Sequence, residues 1–258
     1  MSVTAENEYE QILIDNRGYV AKWPEEKVAV MIISGGLDSI TMSARLLENG
    51  YTLYPLHIER GQTNYIAERN SIEYFTKIFK NKYADKFIDV TYIKLNIPPC
   101  EFKQELLSYT KKHGHPLRDT MLQMAAVQYG VSIESSGVIV RTVFCAVMPE
   151  DYFPHSNIES IRATNVAVCQ NMDDWRWLIT SPNVDPYLEQ NSINKPSEIK
   201  WAYLHDLPVE KTISCNVATV ETNFMNCGAC SSCDRRREAF QSAGIMDKTE
   251  YYANSSQR

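Results

Sequence analysis

Val28-Ala29-Val30-Met31-Ile32-Ile33, followed at once by Ser34-Gly35-Gly36-Leu37-Asp38-Ser39, decides how this chain folds. Six consecutive apolar residues running into glycines read as a strand buried on both faces of a parallel sheet. Beyond the loop, Ile40, Ala44 and Leu47 share one helical face, and Gly50 is placed to end that helix. Strand, glycine loop, helix is a geometry for holding an anion. Two residues without side chains leave room for it, and the unpaired N–H groups of a helix N-terminus attract it. Asp38 can bind Mg²⁺, and Ser34 and Ser39 can donate to phosphate oxygens.

The loop is not of the kinase type, because no Gly-Lys-Ser/Thr follows Gly36. Nor is it the dinucleotide fingerprint GxGxxG. SGGxDS after a buried first strand is the signature of the ATP pyrophosphatase loop, found in enzymes that split ATP between the α- and β-phosphates and adenylate a carbonyl-type oxygen.

Outward from the loop, strands and helices alternate, which predicts a doubly wound α/β fold with a mostly parallel five-stranded sheet, like that of adenine nucleotide alpha hydrolases. Further strands are expected at Tyr51–Ile58 (weakened by Pro55), Phe87–Leu95, Val138–Val147 and Trp177–Thr180. Helices are expected near Asn64–Lys80, Cys100–Gly114, Met121–Tyr129, Asn157–Gln170 and Pro196–Asp206. Residues 1–25 read as an extension packed on the surface, 26–210 as the α/β domain, and 211–258 as a C-terminal knuckle with a helix.

The chain has 258 residues, 44% of them hydrophobic, and a net charge of −6. That suits one well-buried domain with a small appendage, and the acidic balance argues against duplex nucleic acid as the main partner. No apolar run is long enough to span a membrane, and Met1–Glu6 lacks a basic head, so a cytoplasmic protein is expected. In that compartment the seven cysteines are reduced and favour metal binding over disulfides. Cys227, Cys230 and Cys233 stand at successive x₂ spacings, with Cys215 upstream. Four thiolates are the standard closed, structural Zn²⁺ site. An iron–sulfur cluster competes for the same spacing but lacks its usual fourth cysteine. Cys100, Cys145 and Cys169 read as small hydrophobes in or near the core. Of Arg235-Arg236-Arg237, one arginine is expected to pack and the others to face solvent.

With this loop near one end and this knuckle near the other, the chain resembles the 7-cyano-7-deazaguanine synthase family, as a divergent member. Between the ends, Arg60-Gly61-Gln62 with Glu68 resembles the family's YGQR…E segment. Pro116-Leu117-Arg118-Asp119 resembles PxRN, and Asp151–Ser156 stands at D…YPDC. Lys195–Ile199 resembles KxEI, and Thr212–Cys215 resembles T.SC. The resemblance covers residues 28 to 244. It implies that 7-carboxy-7-deazaguanine is adenylated by ATP, that ammonia displaces AMP to give the amide, and that a second activation dehydrates the amide to the nitrile.

In that scheme Asp38, Arg118 and Lys195 are the catalytic candidates. The nucleotide is held by Ile33, Ser34, Gly35, Gly36, Leu37, Asp38, Ser39 and Ile40, with Leu56, His57 and Ile58 reading the adenine through backbone groups. Arg60, Gln62, Asp119, Asp151 and His155 form the substrate side, and Cys215, Cys227, Cys230 and Cys233 hold Zn²⁺. A homodimer is expected.

The departures are Thr63 in place of the arginine of YGQR, Asp119 in place of asparagine, and His155-Ser156 in place of an acid–thiol pair. They leave open a reaction that stops at the amide, another carboxylate substrate, or drift without consequence. A tRNA-directed enzyme of the same loop superfamily, and a retired homologue acting as a binding module, are the remaining alternatives.

Overall fold

The computed structural model describes residues 7–252. The first six residues of the N-terminal segment and the last six of the C-terminal one lie outside it. Helix α1 (Glu8–Arg17) precedes β1 (Val28–Ile32), α2 (Leu37–Glu48), β2 (Thr52–Glu59), α3 (Tyr65–Tyr83) and β3 (Thr91–Lys94). Then come α4 (Leu107–His113), α5 (Arg118–Ile133), β4 (Thr142–Phe144), α6 (Ile158–Met172), β5 (Leu178–Thr180), α7 (Lys195–Leu204) and α8 (Ser231–Ala243).

The five strands form one parallel sheet in the order β3-β2-β1-β4-β5. The order reverses direction between β1 and β4, and such a switch point opens a crevice at the carboxyl ends of the two strands. Alternate residues of β1 face opposite layers, as the strand period requires. Ala29 and Met31 join the core under α2, α3, α7 and α8, whereas Val30 joins the core under α5 and α6. Burial on both faces is why the strand reads as an unbroken apolar run.

Two strands are shorter than their apolar runs. β3 starts at Thr91, although Phe87 still bridges Leu53. The cause lies in β2. Thr52 N donates toward Lys27 on the β1 side, and Leu53 O accepts from Ile88 on the β3 side. The alternation therefore turns Pro55 toward β3, where it has no N–H to give. Continuous pairing resumes at Leu56 with Thr91. In β4 the ladder covers Thr142–Phe144, while Val140, Cys145 and Val147 are buried beyond its ends. The stretch 100–114 is helical only in a short turn (Cys100–Phe102) and in α4, and Cys100 is exposed rather than near the core.

The segment before β1 is more deeply seated than a surface extension. Leu13 and Val20 are fully buried, and Arg17 donates to the Trp177 carbonyl at 2.7 Å. Glu10 accepts from the buried Arg162, which also grips Asp185 in a fork at 2.7 and 2.9 Å. Among the described residues no helix is long and apolar enough to cross a membrane.

Candidate active site

The loop after β1 is held by its own hydroxyls. Ser39 Oγ accepts from Ser34 N at 3.1 Å, lies 3.1 Å from Ser34 Oγ, and donates to the Gly36 carbonyl. Gly36 caps α2 without any side-chain hydrogen bond, so the helix start is open to an anion. Gly35 has φ +71°, and a Cβ there would lie 2.5 Å from the Glu68 carbonyl oxygen. Only glycine fits. Its carbonyl accepts from Ser71 Oγ of α3 at 2.8 Å and from Ile213 N at 3.0 Å. The loop is thus tied to α3 and to the strand of chain leading into the cysteines.

Asp38, in the first turn of α2, accepts from Lys195 Nζ at 2.5 Å through Oδ2. Its Oδ1 is buried and has no hydrogen-bond partner. Lys195 opens α7, whose N-cap Asn194 accepts from Ser197 N, with Pro196 in the first turn. Burial pushes the Lys195 ammonium down, but the facing Asp38 outweighs it and leaves the group above its ordinary value. One turn on, Glu198 is fully buried, with Oε1 accepting from Asn183 and Oε2 unpartnered. Burial raises its carboxyl well above the usual range. Burial also raises Asp151, although the Met148 N–H donates to it.

Across the crevice, α5 begins at Arg118 after Leu117 in the left-handed region (φ 55°). Arg118 forks onto Asp119 at 2.6 and 3.2 Å and donates to Ser156 Oγ, which in turn donates to Asp119. Burial pushes the Asp119 carboxyl up, but these donors prevail and hold it below the ordinary carboxylate range. Loop and α5 wall share one cavity of about 380 Å³.

Behind the loop, Cys215, Cys227, Cys230 and Cys233 place their sulfurs within 4.8 Å of one another. Individual Sγ pairs lie 3.6, 3.8 and 3.9 Å apart. A tetrahedral ion with Zn–S bonds of about 2.3 Å spaces its sulfurs about 3.8 Å apart. The backbone N–H groups of Cys227, Gly228 and Ala229 donate to cluster sulfurs at 3.3–3.4 Å, as charged thiolates require. The donor set therefore fits one zinc ion. A [4Fe–4S] cluster puts each thiolate on its own iron and a [2Fe–2S] cluster divides four thiolates between two irons, so either would spread the sulfurs wider.

The model of the family described as queuosine biosynthesis protein QueC matches residues 28–244. The chain belongs to the QueC family. A 7-cyano-7-deazaguanine synthase of Acetivibrio thermocellus is 28% identical over 235 residues, covering 86% of this chain and 97% of that protein. Another, from Methanoculleus marisnigri, is 27% identical over 245 residues, covering 87% and 99%. Among solved structures, the U34-tRNA thiolase NcsA of Methanococcus maripaludis, with its [4Fe-4S] cluster, aligns with a TM-score of 0.37 at 15% identity, over 93% of this chain and 78% of that one.

In this QueC-family chain the cavity wall includes Ser34, Gly36, Leu37, Asp38 and Ser39 from the loop, and Arg60, Arg118, Asp119, Asp151 and Lys195 around it. Ile33, Gly35 and Ile40 are not in the wall: Ile33 and Ile40 are buried at either end of the loop, and Gly35 holds it to α3 through its carbonyl. Leu56, His57 and Ile58 are buried in β2 and do not line the cavity. Glu68 of α3 lies beside them, its Oε2 4.0 Å from His57 Nε2, and lines the cavity together with Arg60 and Asn64. Gln62 is not in the wall but braces two residues that are, donating to Glu68 at 2.7 Å and accepting from the Arg60 N–H at 2.7 Å. His155 is also outside the wall: it stacks on Phe153, and burial lowers its pKa.

Arg236 is the packed member of its triplet, buried and donating to Thr212, Ser214, Thr249 and the Val209 carbonyl. It also lines the cavity, as do Arg235, Gln123 and Cys145. No motif marks Gln123 or Cys145, which enter the wall where α5 packs on β4, and Arg235 of α8 is exposed, as expected, while bordering the same cavity.

Proposed function

We propose that this chain is an ATP-dependent enzyme of 7-cyano-7-deazaguanine synthesis that joins nitrogen to the carboxylate of 7-carboxy-7-deazaguanine. A carboxylate is a poor electrophile until one of its oxygens becomes part of a leaving group. The substrate oxygen attacks the α-phosphorus of ATP and expels pyrophosphate. Ammonia then adds to the acyl carbon and AMP departs, giving the amide. A second ATP activates the amide oxygen, and loss of AMP with the two nitrogen-bound protons leaves the nitrile.

The residues divide this labour. The Ser34–Ser39 loop and the start of α2 cradle the departing pyrophosphate. Lys195, held by Asp38, and Arg118, oriented by Asp119, supply positive charge on either side of the reacting phosphate. Asp38 Oδ1, buried without a partner, suits Mg²⁺, which when bound neutralises charge on the pyrophosphate. The zinc site is closed by four sulfurs and is structural.

The observation that carries this reading is that an open anion cradle and a charged polar wall face each other across a single cavity. Pyrophosphate release and product mass provide the test. Release that needs both 7-carboxy-7-deazaguanine and ammonia supports it, and the product mass separates nitrile from an arrest at the amide. Release that needs only tRNA would replace it with an RNA-directed activity.

A further inference from the structure

Gln123 stands one helical turn beyond Asp119 on α5, and both line the cavity. Its side chain is 2% exposed, and the two ends of its amide have different fates. Nε2 lies 3.6 Å from Cys145 Sγ, which itself lies 3.5 Å from the Thr180 carbonyl. Burial pushes the Cys145 thiol up to about 12. The sulfur therefore keeps its proton, directs it to Thr180, and can only accept from Gln123. That chain fixes the orientation of the amide. Oε1 is left with no hydrogen-bond partner, and a buried carbonyl oxygen in that state calls for a donor.

Asp119 offers a second place. Its Oδ2 accepts from both Arg118 Nη2 and Ser156 Oγ, whereas Oδ1 accepts only from Arg118 Nε. With two lone pairs per oxygen, Oδ1 has room for one more donor. Positions four apart on a helix lie on one face, so the wall presents two neighbouring acceptor sites. An adenine-type edge places a bare ring nitrogen there and is repelled. A guanine-type edge places N1–H beside a 2-amino group, two donors in a row. We infer that Gln123 Oε1 reads the 2-amino group of the base while Asp119 Oδ1 takes N1–H, making Gln123 a specificity-determining residue. The assignment rests on the deazaguanine reading above.

Calorimetric titration of the full-length, zinc-loaded protein tests it, with 7-cyano-7-deazaguanine and its analogue lacking the 2-amino group as probes. The wild type is expected to prefer the amino-bearing ligand by about tenfold or more, as loss of a buried hydrogen bond implies. In Gln123→Leu that preference should shrink to about threefold or less, with ATP affinity and binding of the desamino ligand little changed. Equal binding of both ligands by the wild type, or full preference retained in Gln123→Leu, overturns the assignment. If Gln123→Leu does not fold, Gln123→Met, equal in length and lacking the carbonyl, is titrated in its place by the same criteria. If the wild type binds neither ligand yet binds ATP and releases pyrophosphate with a different acid, the deazaguanine reading falls, and this inference with it.

Discussion

Gly35→Ala puts the loop geometry to a quantitative test. At φ +71° an L-residue is disfavoured by about 1–2 kcal/mol. The added methyl would also meet the Glu68 carbonyl at 2.5 Å, a rigid backbone atom rather than a flexible side-chain tip. Relief requires the loop to move away from α3, which lengthens the bonds from Ser71 Oγ and Ile213 N to the Gly35 carbonyl. Each of those contributes about 1 kcal/mol, so a total loss of about 3–4 kcal/mol is expected.

Gly36→Ala is the control. Gly36 has φ −76°, and its Cβ would meet only the Ser34 hydroxyl at 3.2 Å and the Ile213 carbonyl at 3.4 Å. Stability should change by less than about 1 kcal/mol, although a methyl in the cradle should weaken ATP binding. Urea unfolding followed by tryptophan fluorescence, with ATP titration of each variant, reads both effects. A Gly35→Ala protein within about 0.5 kcal/mol of wild type, or one more stable than Gly36→Ala, would refute the reasoning.

Other outcomes follow from the same contacts. Lys195→Ala should lower pyrophosphate release by about 10²-fold or more while leaving the melting temperature nearly unchanged; a parallel loss of folding would count against a role in charge stabilisation. Glu198→Gln keeps the acceptor for Asn183 and removes a buried acid. Because burial raises the folded Glu198 carboxyl above its unfolded value of 4.5, wild-type stability should fall relative to the variant as pH rises above 4.5. By pH 8 the gap should reach at least about 1 kcal/mol, measured by urea unfolding at several pH values. Cys230→Ser should lose zinc, measured by elemental analysis, and melting temperature together. Arg162→Met leaves Asp185 and Glu10 without their buried cation, and unfolding experiments should register a loss of about 3–5 kcal/mol.

The parts of the molecule legible in the sequence are those coded by local spacing. An apolar run before a glycine loop specifies β1 and α2, and cysteines three apart specify a cluster that Cys215 joins from a dozen residues upstream. Asp38 and Lys195 could be named separately, but their contact spans 157 positions and depends on α7 crossing the start of α2. Strand ends were less legible, because Val140 and Val147 are buried by packing without joining the ladder. The N-terminal segment hid its role for a related reason. Glu10 looks like one more surface acid until Arg162 and Tyr187 donate to it. Gln123 carries no sequence signal at all, since the orientation of its amide is set by a thiol just past the end of β4.

Transfer of oxygen from substrate to nucleotide tests adenylation most directly. With 7-carboxy-7-deazaguanine labelled by ¹⁸O in its carboxylate, plus ATP and ammonia, mass spectrometry should find the heavy atom in AMP beside unlabelled pyrophosphate. Unlabelled AMP, or ADP as the nucleotide product, would contradict the account.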